Sequence, residues 1–199
     1  MKKLTTRDFV LLALLVAVLL VLGYVNIPQP AGLSITFNMI PVAIAAIAMG
    51  PLGGGIIGGV FGIISFLQCF GICGFSGMGA ALAAVNPFLA FVQRFFPRLI
   101  DGILLSFIYR FVKHKLNAYA GCAVTGFMAA FLNTLLFMTS LVWLFGSTEY
   151  MQDSMAGRGM LTYIVAAVGV NGIVEMVVST VLTGAVGSAL YRAGFIRED

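Results

Sequence analysis

Arg94, Arg98 and Asp101 stand within eight residues of one another inside an apolar run that begins at Asn86. An Arg or Asp at the centre of a membrane helix costs about 2.5–3.5 kcal/mol on an insertion scale. Three such groups must therefore be shielded by protein, by water or by each other, and an intramembrane charge marks a functional site by default. A guanidinium with a free fork suits a carboxylate bidentately. Two amides, Asn133 and Asn171, can donate and accept and so suit hydroxyl or amide groups. Glu175, one turn from Asn171, is a second acid that could neutralise an arginine. Catalysis finds less support. The one histidine, His114, lies in a basic turn, and no Ser or Cys stands near a base by spacing.

The composition says what must surround these groups. The chain has 199 residues, 61% hydrophobic and 9% charged, where a soluble domain carries about 25% charged residues. Its mean hydropathy is +1.08. This is the composition of an all-α integral membrane protein. At ~20 apolar residues per span, five or six spans exhaust the chain, so residues 1–199 form a single membrane domain. No GxxxxGK[ST] loop is present, which excludes a pump that hydrolyses ATP alone. The net charge of +4 comes from basic residues beside the spans, a topology signal rather than a nucleic-acid surface. Cys69, Cys73 and Cys122 have no histidine grouped with them, so no metal site and no cofactor are expected. No cleavable signal peptide is expected, because the first apolar run is long and lacks a small-x-small cleavage site.

Six spans are predicted: about Asp8 to Tyr24, Ser34 to Gly50, Leu52 to Phe70, Asn86 to Arg110, Tyr119 to Phe145 and Met160 to Tyr191. Between the first two, Pro28, Pro30 and Gly32 predict a loop, and Gly50-Pro51 predicts a sharp turn. Gly54, Gly58 and Gly62 recur every four residues, as do Gly55 and Gly59, which predicts close helix contact. Residues 71–85 are small and uncharged, too rich in Gly and Ser for a helix; a lid and a plain connection are both open. Pro97 is expected to bend the fourth span. Ala13 and Ala17 share a face of the first, and by spacing alone ordinary packing within the chain is favoured. Six spans place Lys2, Lys3, Arg7, Arg110, Lys113, Lys115, Arg192 and Arg197 on one side and only Arg158 on the other. The positive-inside rule then puts both termini in the cytoplasm.

With that topology the fourth span enters from outside. Arg94 lies ~12 Å down from Asn86, and Glu175 lies ~22 Å into the sixth span. The reading is a division of labour. Arg94 faces an outer cavity as the anion ligand, while Arg98 forms a structural pair with Asp101 or Glu175. Trp143 and Tyr163 are read as interfacial belt residues.

On these residues the chain resembles the substrate-binding (S) subunits of energy-coupling factor (ECF) vitamin transporters. The resemblance rests on six spans in about 200 residues, the Ala13/Ala17 pair, and Ile35-Thr36-Phe37-Asn38-Met39-Ile40-Pro41-Val42-Ala43 leading to Met49-Gly50-Pro51-Leu52-Gly53-Gly54. It also rests on Pro97-Arg98-Leu99-Ile100-Asp101-Gly102, while Asn133-Thr134 and Asn171-Gly172-Ile173-Val174-Glu175 look like the pantothenate branch. The resemblance implies capture of a vitamin at the outer face, with Asn86, Arg94, Arg98, Asn133, Asn171 and Glu175 as candidate substrate-binding residues. It further implies that Ala13 and Ala17 dock on a transmembrane coupling subunit driven by two ATPases. The competing reading is a self-contained proton-coupled transporter of a small organic anion, with Glu175 or Asp101 titrating. No inverted repeat is visible in its favour.

Overall fold

This computed structural model describes residues 5–24, 27–28, 34–155, 157 and 159–196, and among them the chain forms seven α-helices and one short β-hairpin. Side chains at 27–28, 34–35, 154, 160–161, 163–164, 166–168 and 170–171 lie outside that description. In chain order the elements are α1 (Thr6–Tyr24), β1 (Ile27–Pro28), β2 (Ser34–Ile35), α2 (Met39–Leu67), α3 (Gly77–Val85), α4 (Pro87–Lys113), α5 (Ala118–Phe145), α6 (Glu149–Met155) and α7 (Met160–Arg192). The two strands pair antiparallel, Ile27 opposite Ile35, where the sequence predicts a loop for the first and the start of the second span, Ser34, for the second.

Four helical stretches are long and apolar enough to cross a membrane, among the described residues: Thr6–Tyr24, Met39–Phe70, Ala118–Phe145 and Gly172–Arg192. α4 is 27 residues long but carries Arg94, Arg98, Asp101, Arg110 and Lys113, which lowers its hydropathy. Within α2, Gly50 leaves the helical region at φ 69°, ψ −157°, a conformation glycine adopts without a Cβ clash. The chain doubles back there. A Cβ on Gly53 would lie 2.9 Å from the Ala45 carbonyl oxygen, eight residues away, where a straight helix would separate the two by ~12 Å. α2 is therefore two antiparallel legs, as Gly50-Pro51 predicts.

The second leg of α2 lies against α4 in antiparallel register. Gly54 meets the Gly102 carbonyl, Gly58 the Arg98 carbonyl, and Gly62 the Phe95 Cα at 2.8 Å from a built Cβ. α5 and α7 repeat the device, with Gly126 against the Ser179 carbonyl and Gly187 against Cys122. Serine hydroxyls reinforce it: Ser179 donates to the Gly126 carbonyl at 2.8 Å. At the other side of the bundle Arg7 donates to the carbonyls of Gly194 and Ala193 (3.0 and 3.1 Å) and lies 3.5 Å over the Phe195 ring. That fastens the start of α1 to the end of α7.

Three local expectations are corrected. Residues 77–85 are helical: the Ser76 hydroxyl accepts from the Gly79 N–H at 3.1 Å, and the alanine-rich run behind this cap has high helix propensity. No residue within α4 departs from helical dihedrals at Pro97, whereas Gly169 kinks α7 at φ 28°. Ala13 and Ala17 are exposed, because Leu11, Leu12, Leu15 and Leu19 occupy the inward stripe of α1.

Two substitutions separate packing glycines from tolerant ones. Gly54→Ala drives a Cβ into the Gly102 backbone, which cannot rotate away. It should cost about 1–3 kcal/mol or more and deplete the monodisperse peak in detergent gel filtration. At Gly59 the nearest atom to a new Cβ is Leu99 Cδ1 at 3.7 Å, ordinary contact, so Gly59→Ala should stay within ~0.5 kcal/mol of the parent by thermal unfolding.

Candidate functional site

The glycine contacts press one face of α4 into the bundle, and that face carries the charges. Ala90, Gln93, Arg94, Pro97, Arg98, Asp101, Gly102 and Leu105 are all buried. Helical spacing divides them into two adjoining rows, Arg94–Arg98–Gly102 and Gln93–Pro97–Asp101. Asn86 caps the helix, its Oδ1 accepting from the Phe88 and Leu89 N–H groups at 3.1 Å each. Pro87 follows at the first position, where a missing N–H is harmless.

The two arginines are held differently. Arg94 donates through Nη1 to Ser65 Oγ (3.1 Å) and through Nη2 to Ser76 Oγ (3.0 Å). It thus ties α4 to α2 and to the cap of α3. Among the described residues Arg98 makes one hydrogen bond, from Nη1 to the Arg94 carbonyl at 2.9 Å. Its guanidinium lies between two rings, 4.9 Å from the Phe61 centroid and 4.8 Å from that of Phe137. Each desolvated cation–π contact contributes about 2 kcal/mol, so the plane is fixed while Nε remains buried without a hydrogen-bond partner.

The anticipated pairing of Arg98 with an acid is absent. Neither Asp101 oxygen has a hydrogen-bond partner among the described residues. The Glu175 carboxylate accepts instead from the Thr36 N–H at 2.7 Å. The reason is directional: helical side chains lean toward the N-terminus. Arg98 therefore reaches back to the Arg94 carbonyl and away from Asp101, which follows it. The guanidinium expected to be neutralised is the less committed of the two, and the one expected to face a ligand is tied to two hydroxyls.

The helix registers gather further polar groups at this level. α5 runs antiparallel to α4, since Phe137 meets Arg94 and Arg98 while Gly121 meets Tyr109 and Lys113. Asn133, one turn before Phe137, then falls level with Asp101. The first leg of α2 runs parallel to α4, with Val42 against Gly102, so Asn38 falls level with Arg98. The α5–α7 register brings Glu175 level with Asn133. Asn171 is in α7 one turn from Glu175, but its side chain lies outside the described residues, as does that of Tyr163. Asn86 sits outside the layer, ~12 Å along α4 from Arg94. Trp143 is 84% exposed at the far end of α5.

Eight side-chain atoms of this layer are buried without a hydrogen-bond partner among the described residues. They are Nε of Arg94 and of Arg98, both Gln93 amide atoms, both Asp101 oxygens, and Oδ1 of Asn38 and of Asn133. An orphaned buried polar group costs about 1–3 kcal/mol, and native interiors leave few of them. Their concentration around the buried face of α4 makes it the candidate site for a ligand carrying both acceptors and donors. Among the described residues no group of three or more metal-ligating side chains occurs. The sequence reading missed Gln93, Asn38, Phe61, Ser65 and Phe137. Three of these carried a signal: Phe61 and Ser65 continue the face of the Gly54–Gly58–Gly62 stripe, and Phe137 lies four residues beyond Asn133.

Residues 7–187 match the family model described as the ECF transporter, substrate-specific component. The chain is 29% identical to the pantothenic acid transporter PanT of Lactococcus lactis subsp. cremoris over 97% of its own length and 98% of the relative's. It is 27% identical to the pantothenate transporter PanT of Leuconostoc mesenteroides subsp. mesenteroides, over 93% and 89% respectively. With its apolar, span-length helices it is a multi-pass membrane protein, and it belongs to the family of ECF transporter substrate-specific components.

Proposed function

We propose that this chain captures pantothenate at the outer face of the membrane. It then releases the vitamin inward when coupled to an ECF transmembrane subunit and two ATPases. Pantothenate bears one carboxylate, one amide and two hydroxyls, and the polar layer offers a guanidinium together with amide and carboxyl groups. The names of the two relatives support the vitamin. The observation that carries the reading is Arg98, clamped between Phe61 and Phe137 with Nε uncommitted. A rigid, dry fork binds a carboxylate at little entropic cost. Arg94 holds the wall of the site, and Asn133 and Asn171 are assigned to the amide and hydroxyl groups.

Six crossings follow if each leg of α2 and α4 counts as a span. The basic residues at the chain ends and at Arg110–Lys115 then lie in the cytoplasm. Ala13 and Ala17, exposed on α1 with Val10, Leu14 and Val21, form the docking face for the coupling subunit, small residues permitting close helix approach.

Titration calorimetry with pantothenate on the detergent-solubilised chain tests the anion site. Arg98→Ala should weaken binding by about 10–150-fold, the value of a charge-assisted hydrogen bond. Arg94→Ala should lower the melting temperature more than it lowers affinity. The opposite ranking returns the carboxylate to Arg94.

Replacing both Ala13 and Ala17 with Trp should abolish co-purification with the coupling subunit and leave pantothenate binding within about twofold, below the ~1.4 kcal/mol of a tenfold change. Intact assembly in that variant rejects the docking face. In vesicles, accumulation by the chain alone under a proton gradient, without ATPases, would favour the self-contained transporter.

A further inference from the structure

Arg98 accounts for a carboxylate, but the acceptors of the layer outnumber what a carboxylate needs. Gln93 and Asp101 lie two turns apart on one row of α4, with Pro97 between them. Pro97 has no N–H, so the Gln93 carbonyl also loses its helical donor. Asn133, one turn before Phe137 on α5, falls at the level of Asp101 by helix register. The orphaned atoms at that level are acceptors: both Asp101 oxygens and Asn133 Oδ1. Only donors can satisfy them. A metal ion is disfavoured, because among the described residues no group of three or more metal-ligating side chains occurs. Neutral O–H and N–H groups fit these acceptors.

We infer that Asp101, with Asn133, forms an acceptor subsite that reads the hydroxyl-bearing end of the ligand and fixes its direction against Arg98. This deepens the pantothenate reading and rests on it. The spacing suits the ligand. The Arg98 guanidinium is at the level of the Arg94 carbonyl, and Asp101 lies seven residues further along, a rise of ~10 Å. A β-alanine amide joined to a hydroxyacyl group is a little longer than two extended residues, roughly 8–9 Å. With its carboxylate on Arg98, its hydroxyls reach Asp101. The subsite makes specificity a matter of unpaired acceptors: a ligand of the same skeleton without hydroxyls would leave the Asp101 oxygens buried and orphaned.

The test compares pantothenate with the N-acyl-β-alanine of identical skeleton in which both hydroxyls are replaced by hydrogen. Affinities are measured by calorimetry on the full chain and on Asp101→Leu and Asp101→Asn. The parent should prefer pantothenate by at least ~100-fold, since sites built to hydrogen-bond a hydroxyl reject analogues lacking it strongly. Asp101→Leu should reduce that preference below about tenfold, mainly by weakening pantothenate. Asp101→Asn, which keeps the shape and one acceptor, should fall between and serves as the readout if the leucine variant does not fold. Pantothenate binding with an unchanged preference in the folded variants overturns the subsite and leaves the vitamin reading standing. A parent chain that binds neither compound overturns both.

Discussion

The structure depends on how closely two backbones approach. Gly54, Gly58 and Gly62 let the second leg of α2 sit directly on the α4 main chain, touching the carbonyls of Gly102 and Arg98 and the Cα of Phe95. Without hydration as a driving force, such contact is what holds membrane helices together. It also decides which way α4 turns. With one side of α4 sealed against glycine, the neighbouring face must point into the bundle, and that face bears Arg94, Arg98 and Asp101.

From this constraint the character of the site follows. Among the described residues the arginines are buried without acidic partners, so they are held by weaker and more numerous means. Two serine hydroxyls fix Arg94, and two aromatic rings and a carbonyl fix Arg98. A salt bridge would have neutralised the positive charge and removed it from use. Aromatic faces orient a guanidinium and leave its edge available. Glu175 is engaged elsewhere: its bond to the Thr36 N–H fastens the segment leading into α2 onto α7.

The same logic explains why the acid on α4 is orphaned. A carboxyl that satisfied Arg98 would compete with an anionic ligand for it. The direction in which helical side chains lean separates the two along one helix, so the Arg98 guanidinium and the Asp101 carboxyl lie at different depths. A ligand with a carboxylate at one end and hydroxyls at the other complements that separation.

Much of the architecture was legible in residue types and spacing. Low charge and long apolar runs required a helical membrane protein, because hydrocarbon tolerates no unpaired backbone. Gly50-Pro51 marked a reversal, and glycines four apart marked a packing face. Intramembrane arginines marked α4 as the candidate functional helix, because such charges are costly in hydrocarbon. What the sequence could not decide was partnership. Whether Arg98 meets Asp101, Glu175 or Phe137 depends on side-chain direction and on register between α4 and α5, and neither is encoded in spacing along one helix. The helix over residues 77–85 appeared only through the Ser76 cap and burial of Met78 and Leu82, because cap and packing decide a segment whose alanines favour a helix and whose two glycines disfavour it. Local sequence determined that the charges had to be sheltered; the tertiary structure alone decided by whom, because shelter is a contact between helices distant in the chain.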